Sequence, residues 1–339
     1  MSVSRAHGAW WGSFIGDALA MPAHWYYSRA LIARDYGTLD SYKPPLPHHP
    51  DSILWRSHYT ATGPKDDILH DQARFWGLKD IHYHQFLQAG ENTLNLKLAA
   101  VLAESLISCQ GYDRNDFVQR YLAFMLTPGS HRDTYVEEFH RGFFQNHAKG
   151  KKPDRCGIDD IHIGGLAMVV PLVLWYLHDD EKLLQAVQSH VSLTHKNAQV
   201  QDAARTFARL LQAFILGENW TSASKNLGPA AHPALEHPYA RWAREEDESH
   251  VVGSRFSTAC YIGDAFPAAL FLACKYENDP RGAIMANTRL GGDNCHRGVV
   301  VGALTGARSG KEGLPPEWIT GLHDYPRLAG LLADFPRPD

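Results

Sequence analysis

The sequence has no cysteine framework. Its five cysteines (Cys109, Cys156, Cys260, Cys274 and Cys295) form no Cys-x-x-Cys pair and follow no regular spacing. That excludes a disulfide-stapled scaffold and points to reduced thiols in a cytoplasmic setting. There is no block of one charge sign either. The 33 Lys and Arg and 37 Asp and Glu are interspersed, for a net charge of −4. The pattern excludes a nucleic-acid footprint and a polybasic membrane patch. Long hydrophobic runs are missing too: the longest, residues 164–177, is too short to cross a bilayer and contains Pro171. Only Arg5 precedes the first apolar stretch, which Asp17 interrupts, so a secretory signal pattern is not expected. Alternating strand patterns are scarce, and no repeat of fixed period is present.

What the sequence does have is helical periodicity. With 44% hydrophobic residues in 339, the chain can bury a large core. Apolar residues recur at helical spacing over 94–107, 113–124, 132–147, 181–192, 198–216, 259–275 and 280–288, and residues 166–177 are apolar all round. These features predict an all-α fold over residues 1–339 as one compact domain with many helices. Two stretches break the pattern. Residues 37–66 hold Pro44, Pro45, Pro47, Pro50 and Pro64, and residues 217–257 mix Pro, His, Glu and Ser. Both are expected to be irregular surface excursions, the kind of loop that often rims a site. The 20 histidines are scattered and are expected on the surface or at helix caps.

Two glycine stripes stand out. Gly298, Gly302, Gly306 and Gly310 recur every four residues near the C-terminus, and Gly8, Gly12, Gly16 and Ala20 do so near the N-terminus. Each helical glycine costs about 1 kcal/mol against alanine, which is tolerable where another backbone comes very close. The two stripes are expected to pack antiparallel, bringing Asp17 towards Asp293. The polar head of the second stripe, Gly291-Gly292-Asp293-Asn294-Cys295-His296, lies at a helix N-terminus, where free N–H groups and the dipole favour anions. Cys295 there is either an activated nucleophile, a soft metal ligand, or a small buried residue. Glu91-Asn92-Thr93 opens another helix, as caps or with Glu91 as ligand of a hard cation. Asp160, before His162 and Gly164-Gly165, is either a helix start or a pocket wall.

Several segments together resemble the ADP-ribosylglycohydrolase family. Gly12-Ser-Phe-Ile-Gly-Asp17-Ala-Leu-Ala-Met-Pro22 is similar to its opening Gly-x-x-x-Gly-Asp-Ala-x-Gly-x-Pro. Leu193-Thr194-His195 and Asp264-Ala-Phe-Pro267-Ala-Ala-Leu270 match further segments in order, and Leu290-Gly-Gly-Asp-Asn-Cys-His resembles the family's Gly-Gly-Asp-Thr-Asp-Thr. The resemblance implies an all-α fold with a central cleft, and a two-magnesium centre whose ligands come from an early and a late aspartate motif. Here those motifs fall on Gly90-Glu91-Asn92-Thr93 and Asp293-Asn294-Cys295-His296. Two carboxylates stand where the family pattern has four, and thiol and imidazole are poor partners for Mg²⁺. An intact two-magnesium site is therefore not expected. The alternatives are one ion on Glu91 and Asp293, with or without Asp17, or a softer metal on Cys295 and His296. Asp-Asn-Cys-His-Arg-Gly further resembles the selenoprotein J and jellyfish crystallin subgroup, with Cys295 at the selenocysteine position.

The resemblance implies hydrolysis of an ADP-ribosyl glycosidic bond, in weak or altered form, on an ADP-ribose-like molecule or an ADP-ribosylated substrate. The expected catalytic set is Glu91, Asp293, Cys295 and His296. Asp17, Asn92, Asp160, Gly164, Gly165, Gly291, Gly292 and Asn294 would bind the ligand. The alternatives are a thiol or redox enzyme acting through Cys295, and a non-catalytic protein of crystallin type. The sequence leaves the oligomeric state open.

Overall fold

The computed structural model describes residues 1–227 and 231–336. It is all-α: among the described residues there are helices and isolated bridges (Ile158 with His195, His162 with Tyr261, Val252 with Phe256) but no strand.

At the centre, the helix Ser2–Ala20 runs against Asn294–Ser309. Gly8 lies on Gly306, Gly12 on Gly302 and Gly16 on Gly298. A methyl group added at any of these positions would fall inside a carbonyl of the facing helix. The antiparallel pairing expected from the two stripes is what the structure shows. Most residues of both helices are buried, so the pair forms an axis around which the rest packs.

The surrounding helices follow their sequence patterns. Ala198–Leu216 starts where the Asn197 side chain accepts from the Gln199 N–H (3.0 Å) and ends at Gly217, whose φ of +103° suits glycine. It buries Val200, Ala203, Ala204, Phe207, Leu210, Leu211 and Phe214, the i, i+3, i+4 stripe. Leu94–Cys109, Ile262–Lys275 and Pro280–Leu290 close the core, and one apolar cluster runs from Ala6 to Phe335.

Some boundaries differ from expectation. The helix expected over 132–147 begins only at Glu138, because Asp133 and Thr134 are fully buried with their side chains engaged in long-range hydrogen bonds. The stretch 166–177 is a 3-10 turn, Ile163–Leu166, followed by the helix Val169–Trp175. Residues 37–66 are largely irregular, with one short turn at Leu54–Arg56. The other excursion is more ordered than expected: Trp220–Leu227, Tyr239–Glu245 and Glu248–Val251 are helical. Residues 228–230 of that stretch lie outside the described residues.

Candidate functional site

The site begins at the turn before the striped helix. Gly291 and Gly292 have φ of +69° and +65°. Their backbone is stitched to two other segments: Gly292 N–H donates to Tyr26 O (2.7 Å), and Asp293 N–H to Thr258 O (2.8 Å). Side chains at either glycine would collide with those same carbonyls. Arg297, fully buried, donates to Gly291 O (2.7 Å) and to the Asn287 side chain (2.7 Å). The two glycines and Arg297 therefore shape the turn that aims Asp293, and Arg297 is not directed at Cys295. Asn294 likewise serves the turn, donating to Thr288 O (2.9 Å) and Ala23 O (3.2 Å).

Asp293 is fully buried and ringed by imidazoles. Its Oδ1 faces His296 Nδ1 at 2.7 Å and His24 Nε2 at 3.1 Å, and its Oδ2 faces His162 Nε2 at 3.5 Å. Burial alone would raise its pKa. The positive charge of His296 and hydrogen bonds from His24 and His296 outweigh burial and hold the carboxyl well below the usual range. His296 moves the opposite way: burial opposes its charge, but the Asp293 and Glu137 carboxylates raise its pKa to about 9.

The network extends in both directions. His24 Nδ1 meets His84 Nε2 at 2.7 Å, and His84 Nδ1 meets Asp133 Oδ1 at 3.0 Å. On the other side, His296 Nε2 lies 2.7 Å from the Asn95 amide, whose far end meets His140 Nε2 at 3.0 Å; His140 Nδ1 then meets the Tyr121 hydroxyl at 2.6 Å. From Asp133 to Tyr121 the chain of contacts is continuous and buried. Ten of the 20 histidines are buried, against the expectation of surface and capping roles. Sequence reasoning missed His24, His84, Asp133, Glu137, His140 and His162. The one local signal among them was histidine density, as in His82-Tyr83-His84.

The early motif is arranged differently. Asp17 Oδ1 accepts from the Thr93 hydroxyl (2.6 Å), and its Oδ2 accepts from Thr93 N–H and the Asn92 amide (both 2.8 Å). Asp17 thus clamps the start of the helix Leu94–Cys109. Glu91 pairs with Lys97 (2.9 Å) and Arg132 (2.7 Å), and Lys97 also reaches Asp133 (3.4 Å). These residues do not suit a two-magnesium centre. Mg²⁺ wants free oxygen ligands in near-octahedral array. Protein cations hold Glu91, hydrogen-bond donors saturate Asp17, and imidazoles surround Asp293. Glu91 and Asn92 line a separate pocket of about 230 Å³ with Phe14, Lys97 and Arg327.

Cys295 occupies an apolar nest of Ala20, Met21 and Leu87, with its thiol 3.6 Å from Asp17 O. Burial, then the charges of Asp17 and Asp293, push its pKa well up. This reverses the thiolate stabilisation expected from the helix N-terminus: desolvation outweighs the dipole.

The central cleft, about 440 Å³, reaches His162, whose Nε2 lies 3.5 Å from the buried Asp293 Oδ2. His162 and Cys260 form its floor, and Trp25, Tyr83, Tyr135 and Arg141 its walls. The expected rim role of residues 37–66 is met by Ile53, Arg56 and His58, whereas residues 217–257 contribute nothing to the lining. Trp25 has φ of +61°. That unusual backbone presents Trp25 to the cleft while His24, stacked on it at 4.1 Å, turns inward. Asp160 is a wall residue that also accepts from His162 N–H (2.8 Å). Gly164 and Gly165 are not walls: Gly164 N–H donates to His162 Nδ1 (2.9 Å), and Gly165 packs on Val200 and His195.

Comparison with known proteins agrees with this architecture. A solved structure described as an ADP-ribosylglycohydrolase-related protein complex superposes with a TM-score of 0.68, covering 98% of this chain and 97% of that one at 22% identity. Crystallin J1A from Tripedalia cystophora is 29% identical over 169 residues, 49% of this chain and 52% of the crystallin, so the chain matches about half the length of that curated relative. The family model for ADP-ribosylglycohydrolase matches residues 2–337, and with nearly the whole chain inside that match, this protein belongs to the ADP-ribosylglycohydrolase family.

Proposed function

We propose that the central cleft binds an ADP-ribosyl group and that its chemistry, in weak or altered form, is hydrolysis of an ADP-ribosyl glycosidic bond. The observation behind this is the cleft itself: aromatic walls for a base, Arg56 and Arg141 for phosphates, and His162 on its lining, 3.5 Å from the buried Asp293. An Asp293 carboxylate kept ionised under the ribose would stabilise the positive charge of an oxocarbenium-like transition state. Glu137, whose pKa burial raises to about 7, is the nearby group able to carry a proton at neutral pH. No step needs Glu91 or Cys295, which face elsewhere.

A second reading, a ligand binder or crystallin-like protein without turnover, is favoured by the engagement of Glu91 and Asp17 with protein partners. The five cysteines are unpaired, and no helix among the described residues is long and apolar enough to cross a membrane. We propose a cytoplasmic setting, which keeps thiols reduced, and one functional unit over residues 1–339.

Calorimetric titration with ADP-ribose, with and without Mg²⁺, tests binding. The expected result is micromolar or tighter affinity, indifferent to Mg²⁺ and weakened about tenfold or more, 1.4 kcal/mol, by Arg141→Ala. Hydrolysis of N- and O-linked ADP-ribosyl peptides then separates the two readings. Wild-type protein that does not bind ADP-ribose would overturn both the substrate assignment and the use of this cleft.

A further inference from the structure

The His24–Asp293–His296 cluster has a geometry that family membership does not explain. His24, His296 and Asp293 each bring one ligand atom within 4.8 Å of the others, with His24 Nε2 and His296 Nδ1 at 3.1 and 2.7 Å from Asp293 Oδ1, and all three are buried. A second group, His162, Cys260 and Asp293, shares the same carboxylate. We infer that Asp293 Oδ1, His24 Nε2 and His296 Nδ1 form a binding site for one divalent first-row transition metal, a nitrogen-rich site in place of the oxygen-rich magnesium centre.

Hydrogen-bond direction supports this. Asp133 Oδ1 faces His84 Nδ1 at 3.0 Å, and in the tautomer with the hydrogen on Nδ1 the His84 Nε2 lone pair faces His24. His24 Nδ1–H then donates to His84 across 2.7 Å. That leaves the His24 Nε2 lone pair aimed at Asp293 Oδ1 across 3.1 Å. Without metal, His24 Nε2–H donates to Asp293; in the tautomer described here a metal cation takes that hydrogen's place between the two atoms. Asp133–His84 is thus the carboxylate-terminated outer support that metal-binding histidines commonly use.

At His296 the outer end is also provided for. Its Nε2 lies beside the Asn95 amide (2.7 Å) and Glu137 Oε1 (3.5 Å). With the Asn95 amide turned so that its oxygen faces His296, Nε2–H has acceptors, and a metal ion would displace the Nδ1 proton that otherwise bonds Asp293. The same turn lets the amide nitrogen donate to His140 Nε2.

An independent observation marks the open side. Asp293 Oδ2 and His162 Nε2 are buried without a hydrogen-bond partner. His162 Nδ1 accepts from Gly164 N–H, so its Nε2 carries the hydrogen. His162 is therefore a donor towards Asp293 or a metal-bound molecule, and not itself a ligand. Donor spacings of 2.7 Å and 3.1 Å need only a small opening to reach the roughly 3.3 Å that tetrahedral bonds of 2.0–2.1 Å imply. Two imidazoles and one carboxylate with positions left open suit zinc, iron or cobalt far better than Mg²⁺.

The test uses the full chain, stripped with a chelator and titrated separately with Zn²⁺, Co²⁺ and Mg²⁺. Calorimetry and Co²⁺ visible absorption give the readout, independently of activity. We expect one Zn²⁺ per chain at submicromolar affinity, cobalt d–d bands without an intense thiolate charge-transfer band, and no saturable Mg²⁺ binding. His24→Asn should remove the site. Asp133→Asn, which leaves every ligand in place, should weaken Zn²⁺ by about 10–100-fold. Failure of the folded wild-type protein to take up stoichiometric Zn²⁺ overturns the proposal, whether or not His24→Asn folds. So does Zn²⁺ binding unchanged in the folded variants, or a thiolate band, which would put Cys260 or Cys295 in the ligand set. ADP-ribose binding is scored separately, so either idea can fail alone.

Discussion

Replacing Gly302 by alanine isolates the central helix pair. In an open helix interior the change would stabilise by about 0.8–1 kcal/mol, because alanine is the better helix former. At Gly302 the added methyl falls inside the Gly12 carbonyl. Overpacking a close-packed interior costs about 1–3 kcal/mol. The obstacle here is backbone that cannot rotate aside, so the upper end applies. Subtracting the propensity gain leaves a net loss of about 2 kcal/mol. Gly330 provides the control: it is exposed inside the helix Tyr325–Ala333, and a methyl there meets nothing within 4 Å. Gly330→Ala should therefore stabilise by about 0.5–1 kcal/mol. Urea unfolding followed by far-ultraviolet circular dichroism would put the two midpoints on opposite sides of wild type, about 3 kcal/mol apart in total. A Gly302→Ala protein as stable as wild type would refute the argument that backbone proximity selects these glycines.

Two further outcomes follow from the buried groups. His190 packs against Phe117 and Tyr112, and burial lowers its pKa to about 3. The unfolded chain takes up that proton near pH 6.5, so its contribution is intact above 6.5 and is lost as pH falls towards 3, by up to about 1.4 kcal/mol per pH unit. His190→Leu should flatten the acid limb of stability against pH by up to one proton, and an unchanged slope between pH 6 and 4 would contradict this. Iodoacetamide on the folded protein, read by peptide mass spectrometry, should label exposed Cys109 and leave Cys295 untouched until denaturant is added. Native-state labelling of Cys295 at the rate of Cys109 would restore the thiol-enzyme reading.

Much of the architecture was legible in the residues. The two glycine stripes predicted both the close pair and its direction, because a run of helical glycines has few uses besides backbone contact. Asn197 and Gly217 marked the ends of one helix through chemistry that acts over a single turn. The 132–147 boundary was not legible. The local pattern continues the helix, and only the distant partners of Asp133, His84 and Lys97, pull it out. The site was legible at one end only. Asp293 was found through its motif, but His24, His140 and His162 carry no local mark and His84 only its neighbour His82, since a histidine in sequence looks the same on a surface or in a core.

By itself, the sequence determined the helices, the central glycine contact and the family, all properties written in short-range spacing and motif order. Tertiary structure decided what the polar head of the striped helix became. Neighbouring side chains on a helix diverge by about 100°, so Cys295 and His296 enter different surroundings. One is desolvated among Ala20, Met21 and Leu87. The other is charged beside Asp293 and Glu137. Those neighbours come from segments up to a few hundred residues away, and their electrostatics, set only when the chain closes, separates an inert thiol from the centre of a histidine network.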